Sequence, residues 1–366
     1  MNRYQESVRQ NNKLLGLEVI RFISALSVLV WHYQHFSYVA DIPTNFIREQ
    51  QPFYNFISLF YNYGGSGVQV FWCISGFIFF WKYREAISSN AITYKSFFIL
   101  RFSRLYPLHL FTLVLVLSLQ AFYYSQKEYF FVYQNNDILH FIYHLFLASN
   151  WWGFEIGDSF NGPIWSISVE VLVYFIFFLT LQKISKSFII NLAVLLLCMT
   201  AKYFKIPSQI FDCLALFYIG GLSSIALKNI QGTKYLKQIS YISLFFLIAS
   251  PLLVYGLKIY QHKYFVTLFF MSYTPVLLFI SAQQIKVSPF IQKTIEAAGN
   301  MSYSIYLIHF PLQLAIAIYF MAVDQEIPYY SEVFFAEFIF VTLFISYFTY
   351  KKFELPVQNQ IRKSLL

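Results

Sequence analysis

The sequence predicts an all-α protein that crosses a membrane several times, and three observations lead to this prediction. Hydrophobic residues form 58% of the 366-residue chain and charged residues only 12%, whereas soluble domains have about 25% charged residues. The apolar residues are gathered in segments about as long as a membrane-spanning helix, which needs about 20 residues. Basic residues are concentrated in alternate connecting segments. This composition argues against a soluble enzyme, a disulfide-rich secreted scaffold and a disordered chain.

Ten apolar segments are predicted to span the membrane. They are residues 15–37, 66–82, 104–124, 164–182, 187–203, 209–227, 237–257, 264–284, 302–321 and 333–350. A weaker segment, 138–149, is predicted to be a re-entrant or interfacial helix. The first segment carries Arg21 and His32 and lacks a small-residue cleavage site, so we expect a permanent helix and not a signal peptide.

The distribution of charge predicts how the spans are oriented. If the spans alternate, most of the 26 Lys and Arg residues lie on the same side as the N-terminus, and the acidic residues show the opposite bias. The positive-inside rule then places both termini in the cytoplasm. It also accounts for the net charge of +9, so no nucleic-acid partner is expected. We therefore predict a cytoplasmic segment 1–14, a membrane domain 15–351 and a cytoplasmic tail 352–366.

Ionisable residues inside spans are costly, and they are therefore candidates for function. Arg21 and His32 are 11 residues apart and share one face of the first helix, since each residue turns the helix by about 100°. Glu18 precedes Arg21 by one turn and is expected to pair with it. The alternative is structural: Arg21 reaches to the membrane surface and His32 satisfies a local polar contact.

Two further arginines, Arg101 and Arg104, lie at the cytoplasmic mouth of the predicted third span. Two guanidinium groups at a helix N-terminus are suited to binding an anion, especially a phosphate. The alternative is ordinary anchoring by positive residues on the cytoplasmic side.

Two later spans carry polar stripes at helical spacing. Ser166, Glu170 and Tyr174 follow at i, i+4 and i+8, with Trp165 beside them. Glu170 and His32 are expected to lie at similar depths in the membrane and to contact each other. The carboxylate would then fix the tautomer of His32 and raise its basicity. A structural Glu–His pair is the alternative. The other stripe is formed by Ser302, Tyr306 and His309, next to Tyr303 and before Pro311. The alternative for His309 is that it merely bonds the carbonyls that the proline frees.

Ser75 lies in a glycine-containing stretch, Gly67–Phe77, that is typical of close helix packing or of a break that lines a cavity.

In this order, these motifs resemble the integral-membrane acyltransferase family three, which O-acylates surface sugars and other hydroxylated targets in bacteria. The resemblance runs from Leu17 to about Pro356. Its motifs are Arg21-x10-His32, the stretch ending Ile-Ser-Gly-Phe77, Arg101-x-x-Arg104-x-x-Pro107, Pro163-x-Trp165-Ser166-x-x-x-Glu170 with Tyr174, Ser302-Tyr303-x-x-Tyr306-Leu307-x-His309-x-Pro311, and Glu354-x-Pro356. The chain departs from the family pattern at Glu18, where Asp is common, and at Val171, where a second Glu often stands.

The resemblance implies a multi-pass enzyme of the bacterial cytoplasmic membrane. Its donor would be a cytoplasmic acyl-coenzyme A, with acetyl as the expected group, and its acceptor a hydroxyl of a cell-envelope carbohydrate or lipid-linked glycan. Arg21, Arg101 and Arg104 are assigned to the donor phosphates, and His32 is assigned as the base, oriented by Glu170. An acyl-His32 intermediate is the alternative to direct transfer. The supporting residues are Glu18, Ser75, Trp165, Ser166, Tyr174, Ser302, Tyr303, Tyr306 and His309. No permanently bound cofactor is expected, and no metal, because the three cysteines form no CxxC motif.

A transporter remains the alternative from a different functional class. Buried Arg, His and Glu residues in a helical membrane protein also serve as a proton relay in proton-coupled transporters, and a polysaccharide flippase would use them in the same way. Transporters are often built from inverted repeats, and none is visible in this sequence. Release of coenzyme A from acetyl-coenzyme A by the purified protein separates the two functions.

Overall fold

The protein is built almost entirely from helices. The computed structural model describes residues 14–151, 158–183, 188–204, 209–259 and 263–366, so most of the predicted N-terminal segment 1–14 lies outside the described residues. The described strands are Tyr38–Val39 and Ile42–Pro43, which form a small antiparallel pair. The all-α prediction is confirmed.

The helices are numbered here in chain order. They are α1 Leu15–His32, α2 Tyr54–Tyr63, α3 Gly67–Ser88, α4 Tyr94–Lys127, α5 Ile138–Leu145, α6 Ile164–Lys183, α7 Phe188–Tyr203, α8 Gln209–Ile230, α9 Tyr235–Gly256, α10 Lys263–Ser281, α11 Pro289–Asn300, α12 Ser302–Ala322, α13 Glu332–Thr349 and α14 Leu355–Leu365. Short 3-10 helices occupy Tyr33–Ser37, Arg48–Gln50 and Gly64–Ser66, and a π-helical turn, Tyr350–Glu354, follows α13.

Each predicted span coincides with a helix. Among the described residues, eight helical stretches are long and apolar enough to cross a membrane, and shorter apolar helices at Ile189–Ala201 and Thr267–Ser281 match the other two predicted spans. Segment 138–149 contains the short helix α5. Helix α9 has no buried residue, and such an apolar surface is stable in lipid but not in water. The chain is therefore a polytopic helical membrane protein; the count of ten crossings and the cytoplasmic termini stay predictions.

The chain divides into two compact units that are interleaved along the sequence. The first unit comprises the chain up to Arg21, Gln69–Ile92 and Phe175–Gly299, and the second comprises Phe22–Val68, Thr93–Tyr174 and Asn300–Leu366. Helices α1, α3 and α6 each begin in one unit and end in the other.

The first unit is held together by close helix packing. Helix α8 packs against α7 and α10, and its contact with α3 is made without intervening side chains. A Cβ atom at Gly76 would collide with the backbone of Phe217, and one at Gly220 would collide with the backbone of Cys73. Glycine is required at both positions because the two backbones touch, which is the arrangement that membrane helices use to maximise dispersion contacts.

The second unit is organised around the long helix α4, against which α12 and α14 pack. An apolar cluster in this unit includes Leu113 and Val116 of α4, Phe160 between α5 and α6, and Phe310 and Leu314 of α12. This packing holds the polar residues of α12 beside the start of α6.

One sequence prediction needs correction in this unit. The third span was expected to begin at residue 104, with Arg101 and Arg104 at a helix N-terminus. Helix α4 instead begins at Tyr94, and the Thr93 side chain accepts a hydrogen bond from the Ser96 backbone N–H as its N-cap. Both arginines therefore lie well inside the helix, where the unpaired backbone N–H groups of a helix end do not reach them.

Candidate active site

Three histidine rings meet in the second unit. The His32 ring lies 4.8 Å from the His35 ring and 4.8 Å from the His309 ring, measured between centroids, and it stacks on the latter at 28°. All three residues are buried, and His309 has no exposed surface. The sequence placed His32 and His309 on separate helices, and the fold brings them into direct contact.

The hydrogen bonds of His309 determine which of its nitrogens carries the proton. Its Nδ1 lies 3.2 Å from the Ile305 carbonyl oxygen, which only accepts, so Nδ1–H is the donor. The Nε2 atom then carries a lone pair, and it has no hydrogen-bond partner among the described residues. The Nδ1 atom of His32 is likewise buried, and the Val28 backbone acts on this ring as a hydrogen-bond partner.

Gln313 joins the histidines to one another, and sequence reasoning missed it. Its Nε2 donates to the His32 carbonyl oxygen at 2.9 Å, and its Oε1 lies 3.3 Å from His35 Nδ1. Gln313 follows His309 by four residues and so shares its helical face. That spacing was the signal that would have identified it.

The two polar stripes that the sequence predicts on α6 and α12 also meet. The hydroxyl groups of Ser166 and Tyr306 are 2.8 Å apart, and Tyr306 donates to the Pro163 carbonyl oxygen at 2.8 Å. Nearby, the Asn161 side-chain amide donates to the Leu307 carbonyl oxygen at 3.0 Å. These bonds fix the start of α6 against α12.

Glu170 lies on α6 one turn after Ser166, and it interacts electrostatically with Tyr303 and Tyr306. Trp165 is half-buried and Tyr174 is buried on the same helix. The predicted contact between Glu170 and His32 is not among the hydrogen bonds described for these residues, so it stays a prediction.

Arg104 of α4 lies near the start of α12. Arg104 interacts electrostatically with Tyr303, and the Tyr303 hydroxyl donates to the Leu105 carbonyl oxygen at 2.6 Å. The buried Ser302 begins α12, and Ser304 donates to the buried carboxylate of Glu354 at 2.7 Å.

Another arginine joins this region from the predicted tail. Arg362 donates to the Ser103 hydroxyl at 3.0 Å and to the Leu100 carbonyl oxygen at 3.3 Å. Segment 352–366 is thus helical over α14 and packed on α4. Sequence reasoning missed Arg362 because it follows the last span in an otherwise polar segment.

Three of the predicted site residues belong to the first unit. Arg21 donates to the Glu18 carboxylate at 2.9 Å, which confirms the predicted pair. Glu18 packs on Gly299, where a Cβ atom would collide with its side chain. Ser75 lies half-buried on α3.

A second polar network, formed by α4 and the segment between α4 and α6, was not predicted. The Nε2 atom of His109 is 2.7 Å from the His144 carbonyl oxygen. The Nε2 atom of His144 is 2.9 Å from the Ser159 hydroxyl. Burial lowers the pKa of His144 to about 3. Desolvation by the surrounding chain raises the pKa of Asp158, in the same segment, to about 6.

Comparison with known proteins agrees with the fold and with these motifs. A family model described as an acyltransferase domain, that of the integral-membrane acyltransferase family 3, matches residues 14–351. No curated protein and no solved structure matches the chain. The match covers nearly the whole sequence, so the chain belongs to this family and is a membrane acyltransferase.

Proposed function

We propose that the protein moves an acyl group, with acetyl as the first candidate, from cytoplasmic acyl-coenzyme A to a hydroxyl of a cell-envelope carbohydrate. The bacterial cytoplasmic membrane is the location that such a donor and acceptor require. The membership of the acyltransferase family supports acyl transfer, and the nature of the donor, the acceptor and the base is our inference.

One observation carries the proposal: the buried His32 ring stacks on His309 and lies 4.8 Å from the His35 ring, so three imidazoles are gathered at one place. Histidine is the usual base for removing a proton from an alcohol near neutral pH. A neutral imidazole shielded from water keeps its lone pair free for such a proton. His32 retains slight exposure whereas His309 has none, and therefore His32 is the residue proposed to meet the substrate.

The reaction proceeds in two proton-balanced steps. His32 takes the proton of the acceptor hydroxyl as its oxygen attacks the thioester carbonyl carbon. The tetrahedral intermediate collapses, the carbon–sulfur bond breaks, and the thiolate takes the proton from the imidazolium of His32. The products are the ester and coenzyme A. Trp165, Ser166 or a backbone N–H is proposed to stabilise the oxyanion, and Glu170 to orient His32.

The donor binds through its phosphates in this proposal. Arg101 and Arg104 supply guanidinium groups for bidentate contacts to phosphate oxygens. Since Arg101 and Arg104 lie inside α4 and not at its start, binding depends on the side chains alone.

The test is acyl transfer by purified protein in lipid nanodiscs. Radiolabelled acetyl-coenzyme A is supplied with an extract of lipid-linked glycans, and released thiol and labelled glycan are both measured. His32→Ala should abolish transfer with donor binding intact, and Glu170→Gln should slow transfer by about 10–10⁴-fold. The double variant should resemble His32→Ala, since residues that act as one unit are not additive.

His109→Ala is the matched control, because His109 is equally buried in the same unit but does not contact the His32 ring. It should retain transfer at matched folded protein. Normal transfer by His32→Ala would overturn the mechanism. Proton-coupled sugar movement without thiol release would replace the enzyme with the transporter.

A further inference from the structure

We propose that Gln313 and His35, which lie outside the recognised motifs, are positioning residues that fix the His32 ring for catalysis. This inference rests on the proposed function, in which His32 is the base. It adds two residues that act through His32 and do not themselves touch the substrate.

The first argument concerns the backbone that carries the ring. His32 is the last residue of α1, and a 3-10 helix, Tyr33–Ser37, follows it. As the N-cap of that 3-10 helix, His32 uses its carbonyl oxygen in the first 3-10 hydrogen bond, and the second lone pair of this oxygen remains. The fully buried Gln313 takes this second position, donating from Nε2 to the His32 carbonyl oxygen at 2.9 Å. The end of α1 is thereby tied to α12, the helix that also carries His309.

The second argument concerns the protons. Because Nε2 of Gln313 faces a carbonyl, its Oε1 is the atom that faces His35 Nδ1, at 3.3 Å. An amide oxygen only accepts, so the proton of His35 is on Nδ1 and its Nε2 carries the lone pair. The edges of surrounding rings hold His35 in place, with Tyr38 at 5.4 Å and Tyr133 at 5.8 Å.

A neutral amide at this place matters because the three histidines are so close together. Like charges at this separation repel. The three rings together therefore carry at most one positive charge. The titratable neighbours of the cluster are Tyr38 and Tyr133 beside His35, and Tyr306 beside His309. A carboxylate in place of the Gln313 amide would favour the positively charged imidazolium form of the rings. The neutral imidazole that acts as the base would then be less populated.

The experiment compares variants that remove both bonds of Gln313 or only its bond to His35. Turnover, KM for acetyl-coenzyme A and the pH dependence of turnover are measured. Gln313→Leu removes both bonds and should lower kcat by about 10²-fold with KM for the donor unchanged, the effect of a displaced catalytic group. His35→Phe keeps a ring without the Nδ1 donor and should lower kcat. His35→Asn restores an N–H near the Nδ1 position and should recover most of it.

Gln313→Glu gives a readout that a purely structural role would not move. The side chain is nearly isosteric, and its charge should shift the acidic limb of the pH–kcat profile to higher pH by about 1 unit or more. The matched control is Gln120→Glu, since Gln120 is also buried in the second unit but bonds only the Phe131 backbone, through Nε2 and Oε1 at 2.9 Å. The control should leave the acidic limb unchanged.

An unshifted acidic limb in Gln313→Glu, or equal kcat for His35→Phe and His35→Asn, would overturn the inference. If Gln313→Leu does not fold, the two His35 variants decide the question. Transfer that survives in His32→Ala refutes the proposed function itself. Loss of transfer in His32→Ala together with wild-type behaviour of the Gln313 and His35 variants refutes only the positioning.

Discussion

The two units use the same kind of apolar helix but are held together by different interactions. In the first unit, Gly76 and Gly220 bring the backbones of α3 and α8 into contact, and rings such as Phe79, Phe177 and Phe217 fill the surrounding space. In the second unit, hydroxyl, amide and imidazole groups join α1, α6 and α12. Every described histidine lies in the second unit.

This difference separates the requirements of packing from those of chemistry. Direct backbone contact tolerates no added atom but is insensitive to pH, whereas a buried polar network is sensitive both to the loss of one hydroxyl and to protonation. The two units should therefore respond differently to matched substitutions.

The largest effect is expected from Gly76→Ala in the first unit. The new methyl group overlaps the Phe217 carbonyl, and the overlap should cost about 3 kcal/mol or more, at the upper end of overpacking penalties. Gly256→Ala is the control, because no heavy atom lies within 4 Å of its added Cβ. Thermal unfolding in detergent measures both variants. Equal transition temperatures would contradict direct backbone contact between α3 and α8.

Arg104→Ala in the second unit should weaken binding of coenzyme A by about 10–100-fold, since a hydrogen bond to a charged group contributes about 1.5–3 kcal/mol. Arg104→Lys should recover only part of the affinity, because an ammonium group lacks the planar fork. Isothermal titration calorimetry measures both. Arg48→Ala is the control, since this arginine bonds the Tyr61 carbonyl oxygen and Gln34 away from α4. Unchanged affinity in Arg104→Ala would remove Arg104 from the donor site.

Tyr306→Phe in the second unit and Tyr218→Phe in the first unit each remove one buried hydroxyl group, so the two units can be compared directly. Loss of the Tyr306 bonds to Ser166 and Pro163 should destabilise the protein by about 1–2 kcal/mol and slow acyl transfer by about 10-fold. Tyr218→Phe in the first unit removes a hydroxyl that lies 2.8 Å from Thr180 Oγ1, so it should be similarly destabilising but leave turnover unchanged. Slower turnover in both variants, measured at equal amounts of folded protein, would mean that the effect is not specific to the site.

The last prediction concerns the response of the second unit to acid, which develops only as the pH falls. The pKa of His144 is about 3 in the fold and about 6.5 when unfolded. The neutral form stabilises the fold fully above pH 6.5, and this stability is lost as the pH falls below that value, by about 2 kcal/mol at pH 5. His144→Gln should flatten this part of the stability profile. Denaturant unfolding at pH 7 and pH 5 tests it, and an unchanged slope would show that His144 does not control acid sensitivity.

Much of the architecture was predictable because the information is local. Apolar segments long enough to span a membrane predicted the helices. Residue spacing predicted that Ser166 shares a helical face with Glu170 and that Tyr306 shares one with His309. Helix ends were less predictable. The start of α4 was misplaced by ten residues, since Lys95, Arg101 and Arg104 interrupt the apolar pattern of its first turns although its N-cap is regular.

The contacts between helices came only from the tertiary structure. Helical geometry of 3.6 residues per turn is set by the chain itself, so a sequence determines which side chains share a face. Which faces meet depends on packing between segments far apart in sequence: Tyr306 meets Ser166 140 residues away, and Gln313 meets His32 281 residues away. The sequence thus determined the membrane helices and the residues suited to acyl transfer. Tertiary packing decided that His32, His35, His309 and Gln313 form one cluster, because the Gln313 amide and the buried rings reach one another only when α12 packs against the end of α1.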